Sequence, residues 1–300
     1  MEKIGVIGLG KIAQKAYLPV MSELQDQFEW HLTTRNKDKG QFLKAKYNFS
    51  HLHQTLDQLI AEKPLAVFVH TPTKTHAAII KKLLLSGINV YVDKPVSDDI
   101  GEVKELYKLA EEKNLLLTCG FNRRFAPYNQ ELKKIPNKRM ITVEKTREDV
   151  EQNVDQAIFD LAIHSIDTAF YLMDEPIETT RSKLVLKDDK LAQMYFDAET
   201  KNSHIQVVTN MISGLNLEQS VVQGESQRSV VTNLSNLEEY TTGGVQQLSR
   251  PDWEQNLVTR GFKKIIMEFL RAVSEKLENP VSPKSSILSH ETCYKIVHKN

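Results

Sequence analysis

Short apolar runs alternate with helix-period stretches over the first 120 residues of the chain. This alternation is typical of βαβ units and a parallel sheet. Residues 66–69 are apolar at consecutive positions, so both faces of this strand should be covered, as in a central parallel strand. The predicted strands are Ile4–Ile7, Phe28–Thr34, Leu65–Thr71, Ile88–Val92 and Leu115–Cys119, and the clearest predicted helices are Thr75–Ser86 and Asp98–Lys113.

The pattern changes after residue 120, where one helical stretch precedes a series of strand-like runs with no helices between them. Strands in direct succession favour antiparallel pairing and a sheet with one open face. We therefore expect an α/β protein with a doubly wound parallel sheet in 1–120. An α+β domain for substrate binding and oligomerisation, with an open, mainly antiparallel sheet, should follow in 121–300. The predicted elements are the helix Gln156–Leu172, the strands Val185–Lys187, Met194–Phe196, Ile205–Met211, Glu218–Gln223 and Ser229–Thr232, and the terminal helices Gln255–Lys276 and Ser285–Lys299, which could pack back on the first domain.

Composition narrows the classes of partner. The 39 basic and 39 acidic residues cancel, so no net field attracts nucleic acid or an anionic membrane. No apolar run approaches the ~20 residues that a membrane-spanning helix needs. Cys119 and Cys293 cannot form a disulfide framework, and the chain enters a strand directly without the pattern of a signal peptide. We expect a cytoplasmic protein that acts on small molecules.

A glycine motif, Gly8-Leu9-Gly10-Lys11-Ile12-Ala13, follows the first strand at once and opens a helix. The first glycine of such a motif allows a tight turn, the second lets a pyrophosphate approach the backbone, and the small last residue allows close helix–strand packing. Unpaired N–H groups at the start of the helix favour the negative charge of phosphates. The position of the motif between strand and helix therefore favours dinucleotide binding over a plain tight turn.

The residues at the end of the second strand bear on the choice between NAD and NADP. A fold that binds NAD usually presents an acid there to the ribose 2′-hydroxyl, but this chain has Thr34, Arg35 and Lys37. Arg35 with Lys37 could receive a 2′-phosphate, which favours NADP over NAD. The alternative is that Arg35 only stacks on adenine.

Two further stretches carry chemistry-bearing side chains. An apolar run ends in Asp93-Lys94-Pro95, which suits a rigid turn at a strand's carboxyl end, where open α/β sheets bind ligands; a solvated surface turn is the alternative. On the helix Gln156–Leu172, Asp160 and His164 stand one turn apart. A carboxylate beside an imidazole equips a general base, although such pairs also serve as surface contacts.

The remaining candidates are more ambiguous. His76 starts a helix just after Thr71 and Pro72, and could touch a cofactor or only pack at the helix start. Arg123-Arg124, next to Asn122, could be an anion clamp or a solvated pair. His51, His53 and the other histidines show no metal-ligand spacing, so we assign no metal.

Taken in order along the whole chain, these motifs resemble the Gfo/Idh/MocA family of NAD(P)-dependent oxidoreductases, and in particular its MviM-like members. The motifs that carry the resemblance are the glycine motif at residue 8, Asp93-Lys94-Pro95, Gly120-Phe121-Asn122-Arg123-Arg124-Phe125-Ala126-Pro127, Asp160-x-x-x-His164-x-x-Asp167 and Arg260-Gly261-Phe262. The resemblance implies a Rossmann domain, a second domain whose open sheet often mediates homo-oligomerisation, and a cis peptide before Pro95. It implies a dehydrogenase or reductase that acts on the CH–OH group of a sugar, a polyol or a related compound.

The resemblance also implies roles for single residues. Lys94 would be the active-site lysine, and His164 with Asp160 the acid/base pair. The residues expected to bind the cofactor are Gly8, Gly10, Lys11, Ile12, Thr34, Arg35, Thr71, Pro72, His76, Asp93, Lys94, Asn122 and Arg123. Asp93 departs from the usual glutamate of the family, which puts its cofactor contact in doubt. Two alternatives stay open: a non-catalytic cofactor-binding sensor of the same fold, and non-redox use of a tightly held nicotinamide.

Overall fold

The computed structural model describes residues 1–298, which form two compact units. The first unit comprises Met1–Gly120 and Phe262–Ile287, and the second comprises Phe121–Gly261 and the chain from Leu288 onward. The stretch Phe262–Ile287 is therefore part of the first unit. Within residues 1–298, no helix combines the length and the apolar character needed to cross a membrane.

The first unit contains a six-stranded sheet with the order β3-β2-β1-β4-β5-β6, in which all neighbouring strands are parallel. The strands are β1 Glu2–Ile7, β2 Phe28–Thr33, β3 His51–His53, β4 Ala66–Val69, β5 Asn89–Val92 and β6 Leu117–Cys119. All four residues of β4 are buried, as the unbroken apolar run predicts. The strand order reverses between β1 and β4, so the crevice at the carboxyl ends of these two strands is the expected ligand site. The Rossmann-type sheet is thus confirmed.

Helices connect these strands. After a π-helical turn, Ala13–Tyr17, they are α1 Leu18–Ser22, α2 Lys37–Lys46, α3 Leu56–Ala61, α4 His76–Leu85 and α5 Ile100–Glu112, and a 3₁₀ turn, Thr73–Thr75, precedes α4. The helix after the glycine motif continues past Pro19, which lies in the first turn of α1, where a missing N–H costs little.

The second unit contains an eight-stranded sheet with the order β14-β13-β12-β11-β7-β10-β9-β8. Only the β7–β10 pair is parallel among these neighbours, which confirms a mainly antiparallel sheet. The strands are β7 Met140–Glu148, β8 Thr179–Lys187, β9 Lys190–Glu199, β10 His204–Ser213, β11 Glu218–Gln223, β12 Arg228–Thr232, β13 Asn236–Thr241 and β14 Gly244–Ser249. The sequence pattern does not predict β7, β13 or β14, since they are rich in polar residues.

Two predicted helices of the second half are interrupted, and the helix Pro127–Lys134 was not predicted. The helical elements are a 3₁₀ turn Asn122–Phe125, α6 Pro127–Lys134, α7 Val154–Ala157, a π-helical segment Ile158–Ala162, α8 Ile163–Leu172, α9 Asn256–Thr259, α10 Phe262–Glu275 and α11 Pro283–His298. The single helix expected over Gln156–Leu172 is thus interrupted by a π-helical segment. The helix expected over Gln255–Lys276 is broken at Gly261, whose φ of +76° does not continue a helix. Lys299, the predicted end of the last helix, lies outside the described residues.

Candidate active site

Gly8 and Gly10 face different surroundings. Gly8 has φ +92°, and a Cβ built there would lie 2.6 Å from the carbonyl carbon of His70 and from the nitrogen of Thr71. At Gly10 a Cβ would meet nothing within 4 Å. Gly8 is therefore required by the close approach of two backbone segments, whereas Gly10 borders open space into which a ligand could approach the backbone.

Matched alanine variants should separate these two roles. We expect Gly8→Ala to lower the free energy of unfolding by about 2–4 kcal/mol, because the methyl group meets rigid backbone in a left-handed conformation. Gly10→Ala should leave stability within about 0.5 kcal/mol and weaken dinucleotide binding about tenfold, because its methyl group occupies the open approach. Urea unfolding and cofactor titration measure the two effects. Equal destabilisation by both variants would contradict this division.

A pocket of about 830 Å³ opens at the carboxyl ends of β1, β2 and β4, and we call it the glycine-turn pocket. It is lined by Ile7, Gly8, Leu9, Gly10, Thr33, Thr34, Arg35, Asn36, Lys39, Gln54, Thr55, Leu56, His70, Thr71, Pro72, Lys74, Thr75, Ala78 and Ile79. Six of the predicted cofactor residues are among these: Gly8, Gly10, Thr34, Arg35, Thr71 and Pro72. Lys39, not Lys37, lines the pocket beside Arg35. Lys11, Ile12, His76, Asp93 and Lys94 belong to the same unit but not to the lining of this pocket.

His76 links two turns of the first unit. Its Nδ1 lies 2.8 Å from the carbonyl oxygen of Pro95, and its Nε2 lies 2.7 Å from that of Thr71. The ring is 2% exposed, so it is fixed by both carbonyls within the protein. His76 thereby connects a loop of the glycine-turn pocket to the turn that carries Lys94. The peptide bond before Pro95 is cis, as the resemblance implies.

Buried phenols support the Asp93-Lys94 turn at the end of β5. The Tyr17 hydroxyl donates to Asp93 Oδ1 at 3.1 Å and lies 3.3 Å from the Tyr91 hydroxyl. Burial raises the pKa of Tyr17 and of Tyr91 well above their ordinary range, so both remain hydrogen-bond donors. Burial also raises the pKa of Asp93, against the opposite effect of the Lys94 charge. Asp93 is thus held by Tyr17, a contact that the sequence did not predict.

Asp160 and His164 lie in the second unit, on the helical stretch that precedes and begins α8. Asp160 belongs to the π-helical segment and is exposed, while His164 is half-buried in the first turn of α8. The pairing of these two side chains stays a prediction. Asp160 also acts electrostatically on Arg147 of β7.

Arg123 and Arg124 form buried ion pairs, so the interpretation as a solvated pair is wrong. Arg123 donates from Nε and Nη2 to both carboxylate oxygens of Glu218, at 2.8 and 3.2 Å. Arg124 binds the carboxylate of Asp167 in the same bidentate way. Asn122 donates to the carbonyl oxygen of Arg260 at 2.8 Å and accepts from Arg123. These ion pairs link the 3₁₀ turn Asn122–Phe125 to β11 and to α8 within the second unit.

Several histidines meet at the β2–β3 edge of the first sheet. His31 lies 2.7 Å from Glu29 through Nε2 and 2.9 Å from His53 through Nδ1, and it stacks on His51 with ring centroids 4.3 Å apart. Parallel strands bring these residues together although the chain spacing shows no ligand pattern, and Glu62 completes a second group with His31 and His53. Burial lowers the pKa of His31 and His53, which keeps both rings neutral. In each group the ligand atoms lie within 4.8 Å of one another, so the tertiary structure brings together donors that a metal ion could use. The assignment of no metal stays a prediction.

Both halves of the chain are similar to known protein families. Residues 2–121 match the model of an oxidoreductase family with an NAD-binding Rossmann fold, and residues 127–242 match a YceM-like C-terminal domain. The structure of the dehydrogenase MviM from Clostridium difficile superposes with a TM-score of 0.95 and 32% identity, covering 100% of this chain and 99% of that one. The putative oxidoreductase YceM of Salmonella typhimurium is 28% identical over 96% of this chain and 94% of its own length. The inositol 2-dehydrogenase of Rhizobium meliloti is 32% identical over 45% of each chain.

Proposed function

The chain belongs to the Gfo/Idh/MocA oxidoreductase family, and from this premise we propose that it transfers a hydride between NAD(P) and a sugar, a polyol or a related hydroxyl or carbonyl compound. The observation that carries the proposal is the glycine-turn pocket. Its volume of about 830 Å³ lies in the range of ligand pockets, and it lies at the point where the strand order reverses.

The residues of this pocket fit a dinucleotide. Gly10 leaves the backbone open at the start of the helix, where a pyrophosphate is favoured, and Thr34 and Arg35 border the end of β2, where a ribose is expected. When bound, the nicotinamide supplies the hydride acceptor or donor. Side chains of the protein must then remove the hydroxyl proton of the substrate and stabilise the negative charge that develops on its oxygen.

We assign these two tasks to Lys94 and His164. The half-buried His164 imidazole would remove the hydroxyl proton, and Asp160, four residues earlier on the same helical stretch, would support the resulting positive charge. The Lys94 ammonium, on the rigid turn held by Tyr17, Asp93 and His76, would stabilise the developing alkoxide. In the reductive direction the same groups would return the proton.

A substrate screen tests the proposal. The full chain is mixed with NADP or NAD and a panel of sugars, inositols and sugar acids, and thermal stability and the absorbance of reduced nicotinamide are followed together. A ligand that binds only the folded state raises the apparent melting temperature, so binding and turnover are recorded separately. Binding of cofactor and ligand without any reduction or oxidation would favour the alternative, a sensor of the same fold.

We further propose a preference for NADP, carried by Arg35 and Lys39. Charge-assisted hydrogen bonds of this kind contribute about 1.5–3 kcal/mol, so Arg35→Ala or Lys39→Ala should weaken NADP binding about tenfold or more and NAD binding little. Lys37→Ala is the matched control, because Lys37 is exposed but absent from the pocket lining. Titration with both cofactors measures the ratio. Tighter binding of NAD than of NADP by the unmodified protein would reject the preference.

We also propose that the second-unit sheet mediates homo-oligomerisation. Large apolar side chains are exposed on or next to its strands, including Leu186, Ile212 and Val245, at 51%, 43% and 55% exposure. Light scattering of the full chain would measure the subunit number.

A further inference from the structure

A second cavity, of about 540 Å³, lies within the second unit, and its charged lining is mainly cationic. We call it the basic pocket. Its charged lining residues are Lys145, Arg147, Arg250, Arg260, Glu218 and Glu254. Lys145 and Arg147 come from β7, whereas Arg250 and Arg260 flank the loop around α9, so distant parts of the chain bring positive charge to one place.

Both carboxylates of this pocket are already engaged by cations. Glu218 is shared between Arg123 and Lys145, and these two charges hold the pKa of its buried carboxyl well below the usual range despite its desolvation. Glu254 accepts from Arg250 Nε at 2.7 Å and from the Thr259 hydroxyl at 2.9 Å. The acids of the lining are therefore used to position Arg123, Lys145 and Arg250.

The other two cations of the lining, Arg147 and Arg260, take no part in these ion pairs. Across residues 1–298, neither guanidinium has a carboxylate within ion-pair distance, and Arg260 donates from Nε only to the amide oxygen of Asn256, at 2.9 Å. Arg147 is half-buried, and desolvation lowers its pKa, against the effects of Glu218 and Asp160 at longer range. A half-buried guanidinium with most of its five N–H donors unused is suited to an anionic ligand.

We propose that the basic pocket binds an anionic group of the substrate, a carboxylate or a phosphate monoester, through Arg147 and Arg260. The planar fork of arginine matches the paired oxygens of either group. Asp160, the proposed partner of His164, acts electrostatically on Arg147, so Arg147 is within electrostatic range of the proposed acid/base pair in the same unit. The inference rests on the proposed function in one respect: the bound anion is taken to be part of the oxidised or reduced molecule. The substrate class is then a sugar acid or a sugar phosphate, and not a neutral sugar.

Calorimetric titration of the full chain tests this without any need for turnover. The probes are glucuronate, glucose 6-phosphate and neutral glucose, titrated with NADP present. At least one anion should bind ten times more tightly than glucose, and its affinity should fall as salt is raised from low concentration to about 0.2 M. Which of the two anions binds distinguishes carboxylate from phosphate.

Variants of the two arginines test whether the anion binds in the basic pocket. Arg147→Met and Arg260→Met should each weaken binding of the anion at least tenfold and leave binding of glucose unchanged. Arg139→Met is the matched control, because Arg139 lies in the same unit, is exposed and does not line the pocket. If Arg147→Met fails to fold, Arg147→Lys retains the charge but loses the bidentate geometry, and it should still weaken anion binding. Unchanged anion affinity in folded Arg147 and Arg260 variants overturns the proposal.

The outcome separates this inference from the proposed function. Anion binding that depends on Arg147, with no hydride transfer to any bound compound, would uphold the pocket and defeat the proposed function. Turnover of neutral sugars by a protein that binds neither anion would defeat the pocket alone.

Discussion

The Lys94→Met variant is expected to lose about 10²–10³-fold in kcat, because methionine keeps the length of the side chain but removes the charge that would stabilise an alkoxide. His164→Ala should lose about 10²–10⁴-fold, the usual contribution of a general base. Both losses should appear in kcat more than in the dissociation constant of NAD(P), since neither side chain lines the glycine-turn pocket. Steady-state rates with a substrate from the screen, and cofactor titration, measure the two quantities.

Lys108→Met is the control for the lysine variant. Lys108 lies on α5 of the same unit, its side chain is 76% exposed, and its ion pair with Glu112 is loose, at 3.8 Å. This change should leave the rate within a factor of about two, as expected for a surface substitution. Turnover close to that of the unmodified protein in both Lys94→Met and His164→Ala would defeat the assigned roles. A loss in His164→Ala that vanishes at high pH would instead support a role in proton transfer.

The first sheet could be predicted from the sequence because its determinants are local. An apolar run such as Ala66–Val69, followed by a turn and a helix, specifies a covered parallel strand within a few residues. The glycine motif is local in the same way, since one turn contains both glycines. The prediction missed β3, however, because a strand of three residues with two histidines has almost no periodic signal.

Lys39 shows how the start of a helix decides which lysine borders the glycine-turn pocket. Asn36 caps α2 by accepting from the backbone N–H of Lys39, so the helix begins at Lys37. Successive residues of a helix are about 100° apart, which sends Lys37 and Lys39 to different faces. Only Lys39 reaches the lining of the glycine-turn pocket. The Asn36 cap was the signal in the sequence that could have identified it.

The basic pocket and the ion pairs of Arg123 and Arg124 could not be predicted from the sequence, because they depend on tertiary contacts. Arg123 and Glu218 are 95 residues apart, and their pairing requires the 3₁₀ turn after residue 121 to lie beside the start of β11. The sequence shows two adjacent arginines, but it does not show which of them form ion pairs within the protein. Arg147, by contrast, stands in a strand that was not predicted, so nothing identified it in advance.

Asp167→Asn is expected to lower the free energy of unfolding by about 3–5 kcal/mol, the cost of leaving a buried charge without its partner. Asp167 is 1% exposed and Arg124 is 7% exposed, so water cannot replace the lost carboxylate. Ser289 Oγ, 2.9 Å from Asp167 Oδ1, would also lose its anionic acceptor. Urea unfolding followed by far-UV circular dichroism measures the effect.

Glu131→Gln provides the matched control, since its pair with Lys134 lies in the same unit with side chains 50% and 69% exposed and should contribute well under about 1 kcal/mol. Replacing both partners, as Arg124→Met with Asp167→Leu, should recover much of the loss, because no unpaired charge is then buried. A loss below about 1 kcal/mol in Asp167→Asn would show that the pair is dispensable. The expected loss of stability would give Asp167 a different role from Asp160 and His164, although the three residues form one motif in the sequence. Asp167 would then support the fold through Arg124, and the acid/base role would fall to Asp160 and His164 alone.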